Sequence, residues 1–379
     1  MKVFINSIFA QLFLIPYIYL RGYQVIPKKK SWRIPYMLFF IFELVIFFAG
    51  FFFHNILSDQ ALYWIMRICF TWYIASIYIT MALVFFDLIR VTNHYWRWYP
   101  AWVRKHYPKV KLVLFCVVVL GVSGVMVKAD YNVTHPIVRH QYIDIPKSGG
   151  TRDSLTIAMM SDLHIGEMIT KPYVQNMVRI TNEQNPEMVV IVGDYMDYES
   201  YYASKMKAEE DLRQLKAPLG VYAVLGNHEY RANLNAKKQW IRDAGATLLV
   251  DSVMMMPDSS FYLIGRDDYI NKNRKPLAAL MRQVDKEKPL ILLDHQPNFL
   301  DEPISNGVDL GLYGHTHDGQ IWPNNILLSI YFECSYGYHK RGNTQFFVSS
   351  GIGAAGPPYR IGTRAELVML HIRFTGDTH

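Results

Sequence analysis

The stretch Leu155-Thr-Ile-Ala-Met-Met-Ser-Asp162-Leu-His164 joins an apolar run of strand length to a carboxylate and an imidazole. Short apolar runs bounded by turn residues are typical of buried strands, so we predict a strand that ends before Asp162. Asp162 and His164 are two residues apart, and in an extended segment both side chains point to the same side. The stretch therefore predicts a buried strand whose carboxyl end carries a pair of metal ligands.

Four further clusters repeat this pattern of an apolar run followed by polar side chains. They are Gly193-Asp194-Tyr-Met-Asp197, Gly226-Asn227-His228-Glu229, Asp294-His295-Gln-Pro297 and Gly314-His315-Thr-His317. Carboxylate, imidazole and amide groups are the ligands that hard and borderline divalent metals prefer. Sites in α/β sheets gather where strands end at their carboxyl side, so we expect the five clusters to meet.

Apolar runs of strand length alternate with longer amphipathic stretches in the region 153–379. The predicted strands are Leu155–Met160, Met188–Val192, Val221–Leu225, Phe261–Gly265, Leu290–Leu293, Val308–Tyr313, Phe346–Ser350 and Leu367–Phe374. The predicted helices are Lys171–Gln184, Ser204–Lys216 and Leu234–Ala244. Alternation of strands and helices predicts an α/β domain built in layers.

The clusters supply enough ligands for two neighbouring cations that share one carboxylate. We assign the first metal to Asp162, His164, Asp194 and His317, and the second to Asp194, Asn227, His295 and His315. Two cations about 3.5–4 Å apart can hold a phosphate between them and activate water for attack on phosphorus. His228 follows a ligand directly, so we predict that it protonates the leaving oxygen, with Asp197 holding its tautomer.

The apolar excess of the chain lies in its first 130 residues. The whole chain is 51% hydrophobic, which is more than an ordinary soluble enzyme of 379 residues carries. We predict a transmembrane domain at 1–130, a juxtamembrane linker at 131–152 and a catalytic domain at 153–379. Four spans are predicted, each near the ~20 residues that a crossing needs: Val3–Leu20, Pro35–Ile56, Ala61–Ile89 and Leu112–Lys128.

The basic residues of this part predict its orientation. The net charge is +7, but Lys and Arg flank the apolar runs, which favours membrane orientation over nucleic-acid binding. The segments after the first and third spans are rich in Lys and Arg, and the positive-inside rule places both in the cytoplasm. With four spans the catalytic domain is extracytoplasmic, which in a bacterial inner membrane means periplasmic. A change of one in the number of spans reverses this side.

Two further features of the membrane part have alternative interpretations. The segment Asn93–Lys109 interleaves Trp and Tyr with Arg and Lys, which indicates either an interfacial anchor or a specific lipid site. Glu43 and Arg67 lie within predicted spans, where charge is costly and needs a partner. They fit a role in packing or assembly, a direct ion pair, or transport.

The five clusters resemble the calcineurin-like metallophosphoesterase superfamily, whose pattern is D-x-H, G-D-x-x-D, G-N-H-E, H and G-H-x-H. The resemblance covers about Leu155–Phe374. It implies a four-layer α/β/β/α sandwich and the ligand assignment given above. It also implies two divalent metal ions, with Mn²⁺ as the first candidate and Fe, Zn or Mg as alternatives.

Two stretches resemble a membrane-linked branch of this superfamily that includes YkuE-like proteins and transmembrane proteins with a metallophosphoesterase domain. They are Gly314-His-Thr-His-Asp-Gly-Gln320 and Ser350-Gly-Ile-Gly-Ala-Ala-Gly-Pro357, followed by Arg360 and Glu366. The branch usually has Gly where Asp318 stands and Pro where Ala365 stands. Neither position is a ligand, so these departures bear on pocket shape or substrate choice rather than on catalysis.

Two segments outside the ligand set have open interpretations. Arg360 either clamps a phosphate oxygen of the substrate or forms a surface salt bridge. The stretch Tyr331–Thr344 forms either a cationic aromatic rim over the site or an ordinary surface loop.

Three functions fit the sequence. The first is an integral-membrane phosphoesterase with two metals that hydrolyses a phosphodiester or pyrophosphate bond of a lipid-linked or membrane-proximal substrate. The second is a membrane-anchored phosphodiesterase of soluble phosphate esters or nucleotides. An apolar surface beside the metals favours the first, and a polar open bowl favours the second. The third is a non-catalytic membrane sensor or scaffold. The expected partner is a membrane lipid or lipid-linked phosphate, with no nucleic acid or protein partner predicted.

Overall fold

The computed structural model describes residues 7–376 of the chain. Contacts divide the chain into two units, Met1–Ala129 and Asp130–His379. The first unit is helical, and a π-helical turn at Ala10–Leu14 precedes its helices. These are α1 (Ile15–Tyr23), α2 (Lys30–Phe53), α3 (Asp59–Trp96), α4 (Ala101–Lys105) and α5 (Tyr107–Thr134).

Three of these helices, α2, α3 and α5, are long and apolar enough to cross a membrane. In the most apolar 18-residue stretch of each helix, protein buries only 22% in α2, 22% in α3 and 17% in α5. A helix that is apolar on all sides is either buried in a core or spans a membrane. Since protein covers so little of these helices, all three are candidates for membrane spans.

The helices correspond to the second, third and fourth predicted spans, with longer bounds at their carboxyl ends for α3 and α5. The predicted first span, Val3–Leu20, begins outside the described residues, and the chain is helical from Ser7 to Tyr23. A fourth crossing therefore stays a prediction.

Charged side chains in this unit have polar partners. Asp87 of α3 accepts a hydrogen bond from the Tyr17 hydroxyl at 2.8 Å and pairs with Arg21 of α1. Glu43 of α2 is buried and accepts a hydrogen bond from Gln11. These contacts tie the amino-terminal helix to α2 and α3, and they offset the cost of placing charge among apolar helices.

The second unit holds all the strands of the described chain. They are β1 (Ile137–Ile145), β2 (Ser154–Met160), β3 (Met188–Val192), β4 (Val221–Val224), β5 (Thr247–Leu248), β6 (Ser252–Met255), β7 (Tyr262–Gly265), β8 (Leu290–Leu293), β9 (Leu310–Tyr313), β10 (Gly337–Arg341), β11 (Thr344–Val348) and β12 (Glu366–Phe374). Its helices are α6 (Lys171–Glu183), α7 (Ser200–Lys205), α8 (Ala208–Leu212), α9 (Leu234–Asp243), α10 (Leu277–Leu280), α11 (Asp301–Asn306) and α12 (Asn324–Tyr331).

The strands form two six-stranded sheets, in the orders β1-β12-β2-β3-β4-β5 and β10-β11-β9-β8-β7-β6. Strands β2 to β5 run parallel in the first sheet, and β7, β8, β9 and β11 run parallel in the second. Parallel strands are covered on both faces, which explains why β3 is a continuous apolar run with every residue buried.

Buried side chains show how the layers pack. One cluster joins the two sheets and includes Ile157 and Val190 of the first and Leu263 and Leu312 of the second. A second cluster packs helices α6 and α9 on the first sheet, and a third packs α10 on β7 and β8. The unit is therefore a mixed α/β fold with helices and sheets in layers, which confirms the α/β part of the predicted fold class.

All eight predicted strands are present, with ends shifted by up to two residues. The prediction of a linker at 131–152 is wrong, because residues 137–145 form β1, which pairs in parallel with β12. Pro136 and Pro146 flank this strand, and prolines are common both in linkers and at the ends of strands. The segment 331–344 is a loop only in part, since its residues 337–341 form β10, which pairs antiparallel with β11.

Candidate metal centre

The five polar clusters follow the carboxyl ends of parallel strands. Three of them follow β2, β3 and β4, which are neighbours in the first sheet. The other two follow β8 and β9, which are neighbours in the second. Because the two sheets pack face to face, these strand ends converge, and side chains far apart in sequence come into contact.

The first group of ligand atoms surrounds Asp162. The Nε2 atom of His317 lies 3.3 Å from the Asp162 carboxylate. The Nε2 atoms of His164 and His317 are 3.0 Å apart, and His164 Nε2 is 3.9 Å from Asp162. Asp162, His164 and His317 offer ligand atoms that all lie within 4.8 Å of one another, and all three residues are buried.

The second group surrounds Asp194. The Nε2 atom of His295 lies 3.2 Å from the Asp194 carboxylate, and His315 belongs to the same group. The Asp194 carboxylate is also 3.7 Å from His164 Nε2, so it stands between the two groups. This is the position that the predicted bridging carboxylate requires.

The residues present fit a pair of divalent metal ions. Asn227 Oδ1 and His295 Nε2 are buried and have no hydrogen-bond partner within residues 7–376. Buried polar atoms are nearly always paired, so two such atoms on predicted ligands indicate a bound group. Carboxylate oxygens, imidazole nitrogens and an amide oxygen are together the donor set of hard and borderline divalent ions.

Neighbouring groups orient the imidazoles. The Nδ1 atom of His295 donates to the carbonyl oxygen of Val192 at 2.8 Å, which turns the Nε2 atom toward Asp194. Burial, followed by the positive charge of His295, lowers the pKa of His315 to about 3. His315 is therefore neutral at physiological pH, which is the form of imidazole that binds a metal.

The backbone around the ligands is unusual. Asp162, His164 and Asp194 have φ angles of 54°, 49° and 54°, and His315 and His317 have 72° and 53°. Residues with side chains rarely adopt this left-handed region, and such strain concentrates at functional sites. At Gly193, where φ is 78°, a Cβ atom would lie 2.7 Å from the His295 ring, so only glycine fits.

Glu229 holds two of the ligand loops together. Its carboxylate accepts backbone hydrogen bonds from Asp194, Tyr195 and Gly226 at 2.8–2.9 Å, and it is fully buried. The loop after β3 is thus clamped to the loop after β4. The sequence predicts no role for Glu229, although the residue belongs to the third cluster, because the sequence does not show which backbone amides its carboxylate faces.

The predicted catalytic pair is brought together. The Nδ1 atom of His228 contacts the carbonyl oxygen of Asp197 and lies 3.3 Å from its carboxylate. The Nε2 atom of His228 is 3.9 Å from the Asp194 carboxylate. Asp197 also lies 3.4 Å from His164 Nδ1. Burial would raise the pKa of Asp197, but the hydrogen bonds with His164 and His228 lower it below its usual range.

His228 can play either of two roles in this geometry. His164, Asp194 and His228 form a third group of possible ligands. The buried Lys237 donates to the His228 carbonyl oxygen at 2.6 Å and fixes the loop, a contact that the sequence analysis missed. The metal content of a His228→Ala variant distinguishes proton donation from metal binding.

Both interpretations of Arg360 are wrong. The side chain is fully buried, and its guanidinium donates to the carbonyl oxygens of Ser350, Gly351 and Gly353 at 2.6–3.1 Å. Its Nη1 atom lies 3.3 Å from the carbonyl oxygen of His317. A guanidinium with its donors engaged in this way neither binds a phosphate nor forms a surface salt bridge. Arg360 instead ties the segment 350–353 to the turn that carries His317.

Comparison with known proteins agrees with this geometry. Residues 155–319 match the family described as calcineurin-like phosphoesterase. An uncharacterized metallophosphoesterase of Aquifex aeolicus is 31% identical over 233 residues, which are 59% of this chain and 87% of that protein. The chain belongs to the calcineurin-like phosphoesterase family.

Two further relatives extend the comparison. An uncharacterized metallophosphoesterase of Helicobacter pylori is 32% identical over 225 residues, covering 58% of this chain and 60% of that protein. The "transmembrane protein with metallophosphoesterase domain" of Danio rerio is 31% identical over 278 residues, covering 69% of this chain and 62% of that protein. The chain thus spans about three fifths of the length of these two relatives.

Proposed function

We propose that this chain is a membrane-anchored, metal-dependent phosphoester hydrolase. The observation that carries the proposal is the convergence of Asp162, Asp194 and four imidazoles with two buried polar atoms that lack partners. None of the predicted ligands is missing from the sequence, so a non-catalytic sensor has no support from the ligand set. Two metal ions in this set would supply the positive charge that binds phosphoryl oxygens and activates the attacking water.

Side chains around the metal ligands are placed to protonate the leaving group. When the phosphorus–oxygen bond breaks, the leaving oxygen needs a proton. The Nε2 atom of His228 faces the Asp194 carboxylate, while its Nδ1 atom is held by Asp197. If the proton on Nδ1 is donated to Asp197, Nε2 is the nitrogen that transfers a proton to the leaving oxygen. The contact with Asp197 thus fixes both the tautomer and the orientation of the ring.

We propose that the scissile bond is a phosphodiester or pyrophosphate of a lipid-linked or membrane-proximal substrate. The support comes from helix α12 (Asn324–Tyr331), none of whose residues is buried. Its exposed apolar side chains are large: Ile330 and Tyr331 are 79% and 78% exposed, and Leu327 is 63% exposed. Apolar patches of this kind mark sites of interaction with membranes, ligands or proteins.

Helix α12 lies beside the metal ligands. It follows the turn His317–Gly319, and a Cβ atom at Gly319 would lie 2.7 Å from Asn325 at the start of the helix. The ring of Phe332, the residue after the helix, is centred 6.4 Å from the His315 ring. An apolar surface therefore adjoins the centre, which favours a lipid substrate over soluble esters.

We further propose that the chain crosses a bacterial inner membrane four times and that its catalytic domain is extracytoplasmic. The three apolar helices and the membrane-protein relative support membrane anchoring. The side rests on the positive-inside rule and on the number of spans. Labelling of a single cysteine in the catalytic domain with an impermeant reagent, in intact spheroplasts and in lysed cells, tests the side directly.

The substrate is tested with the full chain in lipid nanodiscs with added Mn²⁺. The assays are hydrolysis of a phosphodiester lipid in the bilayer and of a soluble chromogenic phosphodiester. We expect Ile330→Ser to lower turnover of the lipid and leave the soluble ester unchanged. Ile270→Ser is the matched control, since Ile270 is also an exposed isoleucine, at 47%, and lies outside α12. Good turnover of soluble esters with none of any lipid supports the second function instead.

A further inference from the structure

The membrane unit contains a cavity that the hydrolase site does not use. It has a volume of about 270 Å³ and lies between α1, α3, α4 and α5. Ligand cavities in proteins begin at about 300 Å³, so it suits part of a small amphiphile. Its lining divides into basic residues and apolar residues.

The cavity changes from basic to apolar along its length. Arg90 and Leu83 both line it from α3, and they are seven residues apart. Lys111 and Val118 line it from α5 with the same separation. At 1.5 Å per residue each pair spans about 10 Å. Both helices therefore contribute a cation and an apolar residue about 10 Å from it.

The basic part carries an excess of positive charge. Asp87 is the one carboxylate among the lining residues, against Arg21, Arg90 and Lys111. Arg21 pairs with Asp87 directly, whereas Arg90 lies 3.7 Å from it. Lys111 lies 5.2 Å from the centre of the Tyr107 ring rather than against a carboxylate among the described residues. Three cations against one anion leave two positive charges for a ligand.

The turn that follows α3 lines the cavity and is held by two side-chain hydrogen bonds. The Tyr99 amide donates to Asn93 Oδ1 at 2.7 Å, and Trp98 Nε1 donates to Thr92 Oγ1 at 3.2 Å. These bonds fold the chain after α3 so that Trp98 and Tyr99 line the cavity. Trp and Tyr favour the headgroup level of a bilayer, because one end of each ring is polar.

We propose that this cavity binds one anionic membrane phospholipid, with its phosphate between Arg90 and Lys111 and an acyl chain along Leu83 and Val118. Basic pockets between membrane helices recognise lipid headgroups in this way. A soluble phosphate would use the cations but not the apolar wall. A zwitterionic lipid would use the wall but gain less from the two uncompensated charges.

The proposal is tested by native mass spectrometry of the full chain, purified in detergent and stripped of lipid. Phosphatidylglycerol, phosphatidylcholine with the same acyl chains, and inorganic phosphate are titrated separately. We expect one phosphatidylglycerol to bind more tightly than phosphatidylcholine, and inorganic phosphate not to compete with it. In Arg90→Gln/Lys111→Gln, binding should weaken on the order of 30-fold, since each basic residue near a lipid surface contributes a factor of ~5 in affinity and two residues are changed.

Two controls keep the outcome clear. Lys28→Gln/Lys29→Gln makes the same charge change at exposed residues outside the cavity and should bind as the unaltered chain does. Arg90→Lys/Lys111→Arg keeps the charge and should retain binding, which separates loss of charge from misfolding. Equal binding of both lipids, unaltered binding by the glutamine variant, or competition by inorganic phosphate overturns the proposal.

Discussion

The Nε2 atoms of His164 and His317 face each other at 3.0 Å, although 153 residues separate them in sequence. One follows a strand of the first sheet and the other follows a strand of the second. Two imidazole nitrogens at this distance beside the Asp162 carboxylate form a site for a cation rather than a stable contact of their own. The packing of the two sheets is therefore what creates the centre.

Asp194→Ala should abolish binding of the metal pair. Asp194 is buried and lies within 4 Å of His164, His228 and His295, so its removal takes the shared carboxylate from both groups. Metal content measured by inductively coupled plasma mass spectrometry should fall to background. Asp153→Ala, at an exposed position before β2, should retain the metals. Full metal content and activity in Asp194→Ala would refute the ligand assignment.

His228→Ala should keep the metals and slow turnover about 10²–10⁴-fold, which is the usual contribution of general acid–base catalysis. The loss should be smaller for a substrate with a nitrophenolate leaving group, because that group leaves without a proton. Comparing kcat for good and poor leaving groups measures this difference. Loss of metal in the variant would instead assign His228 as a ligand, as its group with His164 and Asp194 allows.

Arg360→Met should destabilise the fold and weaken metal binding. The change removes the guanidinium donors from the carbonyl oxygens of Ser350 and Gly353, at a cost of roughly 3 kcal/mol, whereas the Gly351 oxygen keeps a bond from the Glu366 amide. Burial lowers the pKa of Arg360 to about 10, so the side chain is still charged at neutral pH. We expect a lower Tm and a higher Kd for Mn²⁺.

The kinetics of the same variant distinguish this role from substrate binding. At saturating metal, KM should stay close to that of the unaltered chain. Arg364→Met is the comparison, since the Arg364 side chain reaches the surface and donates to His135. A raised KM with an unchanged Tm would restore Arg360 as a contact of the substrate.

Glu229→Gln should loosen the metal centre without removing a ligand. One carboxylate oxygen becomes an NH₂ group that faces backbone amides of Gly226 or Asp194, so a hydrogen bond is replaced by a clash of donors. We expect a loss of about 2 kcal/mol in the free energy of unfolding and weaker metal binding. Denaturant unfolding with and without Mn²⁺ measures both. Glu183→Gln, an exposed residue at the end of α6, should change neither.

Much of the metal centre follows from local sequence. Each cluster of ligands lies just after an apolar run, and parallel strands that are buried on both faces are typically such runs. That is why Asp162, Asp194 and His295 could be placed at strand ends. Strand β1 could not be recognised in the same way, because three consecutive polar residues, 139–141, interrupt its apolar pattern between two prolines. Its pairing with β12 links residues that are more than 200 positions apart.

The amino-acid sequence by itself determined the strand order along the chain, the ligand types and the apolar helices, because these depend on neighbouring residues. Only the tertiary structure decided what Arg360, Glu229 and α12 do. An arginine has the same sequence context whether water or carbonyl oxygens surround its guanidinium. An apolar helix likewise has the same sequence pattern whether or not protein covers it. Burial is a property of packed elements, so it emerges only when distant segments meet.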